Sequence, residues 1–208
     1  TPWNFGSDTV SGDLTLYAKW TLITYHITYD LDGGSLAGEQ VNPGSYTVET
    51  DDFILNNPTK QGYLFAGWTE GGGTEPQQTV TIPRGSTGDK TYTAHWTLSA
   101  PTVTLSADPA DASGTYSGGS PVVTLTAQAS HEVGVTDTYA WYKDGQLLDG
   151  KTDRTLELTD VAHSGTYTAS ATVRDAGGQQ AVGTSNPVTV TIRGATPDYT
   201  VPTGLTAA

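Results

Sequence analysis

Apolar and polar positions alternate with a period of two along most of this chain. Leu14, Leu16, Ala18 and Trp20 interleave with Thr15, Tyr17 and Lys19, and Ile27, Tyr29 and Leu31 interleave with His26, Thr28 and Asp30. That is the period of a strand with one buried face. Tyr, Thr, Val and Ile dominate these runs, and they suit a pleated surface. Gly33-Gly34, Asn42-Pro43-Gly44, Gly71-Gly72-Gly73 and Gly177-Gly178 break the runs as turns. Helical periodicity is nearly absent. One short helical turn is expected around 50–56, with Thr50 or Asp51 as its N-cap and Pro58 beyond its end. In the second half, strand-like runs fall at 103–107, 122–129, 138–143, 155–158, 166–174 and 180–192. Turn signals separate them at intervals of roughly 8–12 residues, the spacing of a β-sandwich. The pattern predicts a mainly β protein.

One run occurs twice. Gly12-Asp-Leu-Thr-Leu-Tyr-Ala-Lys-Trp20-Thr21 is echoed 76 residues later by Gly88-Asp-Lys-Thr-Tyr-Thr-Ala-His-Trp96-Thr97. Self-similarity at a domain-sized period marks an array of modules. Arrays usually span distance or present surface and seldom house one catalytic centre. Only the last third of the first copy is present, so the chain reads as a slice of a longer array. Residues 1–21 form the closing hairpin of a preceding copy in this reading. Their apolar residues Trp3, Phe5, Leu14, Leu16 and Trp20 are expected to pack on the module that follows or on a second molecule.

Between them, residues 22–98 carry Tyr25-His-Ile-Thr-Tyr-Asp-Leu-Asp-Gly-Gly34, Asn57-Pro-Thr-Lys-Gln-Gly-Tyr-Leu-Phe-Ala-Gly-Trp68 and the Gly88–Trp96 run. This order resembles the Listeria–Bacteroides repeat of bacterial surface proteins, and the resemblance implies a small β-grasp-like module. Residues 99–194 carry Tyr139-Ala-Trp141-Tyr-Lys-Asp-Gly145, Leu156-Glu-Leu158 and Asp160-Val-Ala-His-Ser-Gly165-Thr-Tyr167. These resemble an immunoglobulin-like β-sandwich. The resemblance implies that Trp141 is the core tryptophan and that Tyr167 forms the tyrosine corner. The family's paired cysteines fall at Ala127 and Ala169, so the domain lacks the disulfide; Leu125, Trp141 and Val173 are expected to fill the space. Residues 195–208 look like a linker and the start of a following repeat.

Charge and composition narrow the function. Nine basic residues stand against 22 acidic ones, a net charge of −13 over 208 residues. Such a field repels nucleic acid and anionic membrane surfaces. There is no cysteine, which excludes disulfides, thiolate metal sites and thiol nucleophiles. A Cys-free, acidic, Thr- and Tyr-rich chain fits an exported bacterial protein better than a disulfide-bearing animal ectodomain. No apolar run reaches membrane-spanning length.

Candidate chemistry is sparse. Trp20, Tyr63, Phe65, Trp68, Trp96, Trp141 and Tyr167 are expected in cores because they occupy repeat motifs or the apolar phase of strands. Among exposed aromatics, Tyr17, Tyr116 and Tyr142 are candidates, and a patch of Tyr116 and Tyr142 is the weak candidate surface for stacking a glycan. His26, His95, His131 and His163 lack metal-ligand spacing. Asp30/Asp32, Asp51/Asp52 and Asp108/Asp111 read as turn caps, with structural calcium as a minor alternative to a cofactor-free chain. Asp160, His163 and Ser164 sit close in sequence but in a tight turn, where Asp160 is expected to cap the turn or pair with Arg154. An isopeptide bond through Lys19, Lys60, Lys90, Lys143 or Lys151 has no evident acidic and Asn partners.

The sequence thus points to a non-enzymatic segment of a large bacterial cell-surface or secreted protein. It would act as spacer or stalk, with adhesion as a further role, anchored to the wall through regions outside this chain. Its partners would be adjacent modules and a host or bacterial surface ligand, protein or glycan. The rival readings are a glycan-binding module and an accessory region of a secreted carbohydrate-active enzyme.

Overall fold

The computed structural model describes residues 2–116 and 120–194. They form strands β1 (Tyr25–Asp30), β2 (Ser45–Tyr46), β3 (Phe53–Ile54), β4 (Tyr63–Glu70), β5 (Thr81–Ile82), β6 (Lys90–Leu98), β7 (Thr102–Asp108) and β8 (Ser113–Tyr116). These are followed by β9 (Val123–Ser130), β10 (Val135–Lys143), β11 (Gln146–Leu147), β12 (Thr155–Leu158), β13 (Gly165–Arg174), β14 (Gln180–Thr184) and β15 (Val188–Gly194). A single 3-10 turn, Val161–His163, is the only helical element among the described residues. The mainly β fold is as the alternation predicts.

Two compact units result. The first comprises Thr1–Pro58 and Ala66–His95; the second takes Thr59–Phe65 and the chain from Trp96 onward. The sheet that carries most of the first unit has the order β2-β1-β6-β4, with Tyr63–Phe65 of β4 and Trp96–Leu98 of β6 counted in the second unit, and β3 pairs with β5 in a small second sheet. β1 and β6 run parallel, with Tyr29 beside Tyr92. Parallel neighbours need a long connection, and residues 31–89 supply it. β6 is a central strand, so its inward phase is buried: Tyr92 is 2% exposed and Ala94 1%. The unit is a small β-grasp-like module without a helix. The helical turn expected around 50–56 is replaced by a turn closed by Thr50 N–H to the Thr47 carbonyl and by β3. Phe53 pairs across to Ile82, and that cross-strand partner outweighs a weak local helical signal.

The second unit is an immunoglobulin-like β-sandwich. One sheet has the order β12-β9-β7; the other has β11-β10-β13-β15-β8, with β14 also pairing β13. The first part of β13 pairs β15 and its later part pairs β14. The single run expected over 180–192 is therefore two strands. The break falls at Ser185-Asn186-Pro187, where proline has no N–H for a ladder. β8, not anticipated, lies parallel to β15. Its four residues, two of them glycine or serine, give no alternation to read. The core between the sheets gathers Val123, Leu125, Ala127, Trp141, Leu156, Leu158, Tyr167, Ala169, Val190 and Ile192. Ala127, Ala169, Leu125 and Trp141 are all 0% exposed, so the cysteine-replacing alanines sit in packed surroundings. Val173 is also fully buried but lies outside that cluster.

Candidate functional site

The aromatic residues of the first unit are spent on its core. Trp68 is 1% exposed and donates its indole N–H to Asn57 Oδ1 at 3.1 Å. Its ring meets Tyr29 edge-on at 5.9 Å and Tyr92 edge-on at 6.4 Å, while Tyr29 and Tyr92 stack at 6.2 Å. Such pairs add about 0.5–1.5 kcal/mol each beyond area burial. Burial pushes the Tyr29 hydroxyl up to about 12. Burial also raises Tyr92, and the Glu70 carboxylate beside it adds to the effect. Glu70 accepts from Tyr92 at 3.3 Å and pairs with Lys90 Nζ at 2.7 Å.

Over this cluster lies an open groove of about 520 Å³, lined among others by Trp68, Glu70, Glu75, Gln77, Thr79 and Tyr92. Gly67 makes it possible: at φ 139° it lets β4 approach Gln77, whose backbone exchanges two hydrogen bonds with Trp68 at 2.8 and 2.9 Å. A Cβ on Gly67 would stand 2.7 Å from the Gln77 nitrogen. The groove is acidic, and Trp68 and Tyr92 are only 1% and 2% exposed, so neither ring offers an open stacking face.

In the second unit, Trp141 donates its indole N–H to the Asp153 carbonyl at 2.9 Å. Tyr167, 1% exposed, donates to the His163 carbonyl at 2.6 Å, the geometry of a tyrosine corner. The Asp-His-Ser triplet serves that corner. Asp160 Oδ1 caps Ala162 N–H at 2.8 Å, and His163 Nδ1 accepts from the backbone of Thr159 and Asp160 at 3.1 and 3.2 Å. Ser164 Oγ bonds across to Ile192. Asp160 thus acts as a cap, and Arg154 turns instead to the Ala127 carbonyl and Gln128. All three triplet side chains are tied to backbone groups, an arrangement unlike a nucleophile–base–orienter chain.

Segment 59–65 is bound within this unit too. Tyr63 donates to Asp175 Oδ2 at 2.7 Å, and that hydrogen bond is the main reason the Asp175 carboxyl lies below the usual range. Lys60 Nζ lies 4.7 Å from the Tyr63 ring centroid and 5.7 Å from that of Trp96, and Phe65 meets Trp96 edge-on at 5.5 Å. Sequence reasoning named Tyr63, Phe65 and Trp96 only as core. Trp96 is buried, whereas Tyr63 and Phe65 are half-buried. The hydroxyl of Tyr63 serves a polar contact far along the chain, which no local pattern encodes.

The largest departure is at the N-terminal segment. Trp20, expected in a core, is 90% exposed, and Tyr17 is 89% exposed. Phe5, Val10, Leu14, Leu16, Leu22 and Ile23 are exposed with them. The expected packing of residues 1–21 on the following module is absent: no strand pairing involves 2–24 among the described residues. A segment acquires burial as a strand from neighbours on both sides, and among the described residues 12–20 pair with none.

The other candidates resolve into local structure. Tyr142 lies on β10 and Tyr116 on β8, with β13 and β15 between them. Three strand spacings separate them by about 14 Å, so they form no single stacking patch. His95 bonds Thr69 at 2.8 Å and His131 bonds Thr136 at 3.2 Å. Asp30 caps Asp32 N–H at 3.0 Å, Asp52 accepts from Arg84 N–H at 2.7 Å, and Asp111 accepts from Ser113 N–H at 3.1 Å. Its hydrogen bonds to Ser113 hold the Asp111 carboxyl below its usual range. No group of three His, Asp or Glu side chains among the described residues is arranged to hold a metal ion. Lys143 donates to the Ala162 carbonyl at 2.6 Å.

Fold and packing together define a modular β protein, a β-grasp-like repeat unit followed by an immunoglobulin-like sandwich. Comparison agrees for the first part of the chain: residues 1–19 and 25–100 match the model of the Listeria-Bacteroides repeat domain. The first of these stretches is the exposed segment; the second holds β1 to β6. A "Putative Gly-rich membrane protein" of Evansella cellulosilytica is 33% identical over 109 residues, which is 50% of this chain and 11% of that protein. Internalin H of Listeria monocytogenes is 38% identical over 78 residues, 36% of this chain and 13% of that protein. The chain thus spans only about a tenth of the length of these relatives. Fibronectin(III)-like modules of Clostridium thermocellum CbhA align over 83% of this chain and 94% of theirs, at a TM-score of 0.28 and 14% identity. No helix among the described residues is long and apolar enough to cross a membrane.

Proposed function

We propose that this chain is a non-enzymatic spacer and display segment of a bacterial cell-surface or secreted protein, with adhesion carried by its exposed edges and loops. The observation that supports this most is the repetition. The run at Gly12–Thr21 occurs again at Gly88–Thr97, there in the central strand β6, and parts of this chain are similar to short stretches, 11% and 13%, of longer proteins. A module used repeatedly in long chains is selected for reach and display. The cores support the reading: Trp68, Trp141, Tyr92 and Tyr167 are each buried and hydrogen-bonded, so the large aromatics hold the modules together.

The groove over Trp68 and Tyr92 favours a second reading, a site for a neutral sugar, since Glu70, Glu75, Gln77 and Thr79 supply acceptors and donors. Calorimetric titration with a glycan panel, alongside a glycosidase substrate panel, separates the readings. The spacer reading expects neither saturable binding nor turnover by this segment. Saturable binding that Glu75→Ala and Gln77→Ala abolish would replace it with the glycan reading.

A further inference from the structure

We propose that the outer edge of β12 binds a basic, extended peptide segment of another protein, which joins the sheet as an added antiparallel strand. This rests on the display reading above and names the edge and the partner. β12 (Thr155–Leu158) ends the sheet β12-β9-β7, so it has a neighbour on one side only. Two hydrogen bonds fix its phase. Ala127 N–H donates to the Arg154 carbonyl and Val122 N–H to the Leu158 carbonyl, each at 2.9 Å. Positions 154, 156 and 158 therefore turn their backbone groups towards β9, and Thr155 and Glu157 turn theirs to the outer edge. Among the described residues nothing pairs with Thr155 or Glu157 on that side. Such a row of open N–H and C=O groups is a template for a further strand. Beside it lies a groove of about 270 Å³, lined by Lys151, Asp153, Thr155, Leu156 and Glu157. Three consecutive strand residues line it although their side chains point to opposite faces, which puts the groove along the edge. Leu156 and Leu158 are 6% and 2% exposed, so the inner face of β12 is already closed.

Charge selects the occupant. Thr155 and Glu157 are exposed and share the outer face of the strand. Asp153 lines the same groove, where Lys151 is outnumbered by Asp153 and Glu157. Arg154 is turned away, to the Ala127 carbonyl and Gln128. Side chains directly opposite across a ladder attract when their charges differ and repel when they are alike. The fitting strand therefore runs antiparallel with a basic residue opposite Glu157, a small polar residue opposite Thr155 and a second basic residue towards Asp153. Apolar β-branched residues between them face inward beside Leu156. A second copy of this chain fits less well. Each copy carries a net charge of −13, and contact through one strand of 4 residues falls far short of the roughly 1,200 Å² at the low end of stable interfaces. An extended peptide needs no such area: main-chain hydrogen bonds hold it and alternate side chains make it specific.

The test uses the full chain and the capped peptide acetyl-Lys-Val-Thr-Val-Lys-amide, with amide exchange read residue by residue by NMR. In the free chain the Thr155 and Glu157 amides should exchange fast. Peptide at about 90% occupancy should slow both about 10-fold, while the Leu125 and Val173 amides stay as they were. A peptide with glutamate in place of both lysines should slow neither. Nor should one N-methylated at its threonine, which keeps the charge and removes the N–H that meets the edge. Glu157→Lys, at an exposed position, should lose the response to the lysine peptide and gain one to acetyl-Glu-Val-Thr-Val-Lys-amide. Slow exchange at Thr155 and Glu157 in the free chain overturns the proposal, because the edge is then already covered; if that slowing grows with protein concentration, the cover is a second copy. No response to the lysine peptide overturns it, and so does an equal response to the N-methylated one. Each of these failures leaves the spacer reading standing, because that reading is tested by glycan binding and turnover.

Discussion

Replacing Tyr167 with phenylalanine isolates one hydrogen bond in a packed core. The ring is 1% exposed and its hydroxyl donates to the His163 carbonyl at 2.6 Å. Phenylalanine keeps the ring and removes the donor. The lost bond and the carbonyl left without its partner together cost about 1–3 kcal/mol. With a urea dependence of about 2 kcal/mol per M for a domain this size, the midpoint should fall by about 0.5–1.5 M. Native-state hydrogen exchange of Leu125 and Val173 amides, on β9 and β13, reads the second unit alone. Alkaline pH gives an independent arm. Burial pushes the Tyr167 hydroxyl up to about 12, with the Asp144 charge adding to it, against about 10 in an unfolded chain. The folded form keeps a proton that the unfolded form has lost. This contribution is complete below about pH 10 and disappears as pH rises towards 12. Tyr167→Phe should lose the part of the alkaline destabilisation that belongs to the second unit. A variant within 0.3 kcal/mol of the parent, with the same alkaline profile, would refute the reasoning.

Trp68→Ala should cost the first unit about 3–5 kcal/mol, read as loss of exchange protection in β1 and β6 with the sandwich unaffected. Gly67→Ala should destabilise that unit by about 1–3 kcal/mol, because the new Cβ meets the Gln77 backbone; thermal unfolding checks it. Glu70→Gln should change stability by less than about 1 kcal/mol, since the carboxylate is half exposed. It should nevertheless bring Tyr92 ionisation to lower pH in an ultraviolet titration, because the Glu70 charge raises that hydroxyl. Trp20→Ala should leave the unfolding midpoint of both units unchanged, because the side chain is 90% exposed.

The β class, the repeat and the sandwich were legible because period-two alternation and the Trp141–Tyr167 spacing are local features. Trp96 stands on an alternating strand and its burial follows from that phase, whereas β4 is buried at Gly67, Trp68 and Thr69 in succession, so Trp68 was legible from the repeat motif alone. Trp20 marks the limit of that phase as a guide to burial. Its phase is the same as that of Trp96, but burial depends on neighbouring strands, and alternation is silent about whether they exist. β3 was missed because its two residues gain strand geometry only from Ile82 and Thr81 across the chain. β8 was missed because Ser113 and Gly114 carry no phase. The groove was unreadable as well: it exists because Gly67 adopts a left-handed φ beside residues ten positions on.

The central claim is that one strand pattern is used twice, once filled and once open. Amide hydrogen exchange across the unmodified chain tests it directly. The account predicts strong protection at Tyr92 and Ala94 in β6 and rates close to an unstructured peptide at Leu16 and Ala18. Comparable protection in the two runs would contradict it.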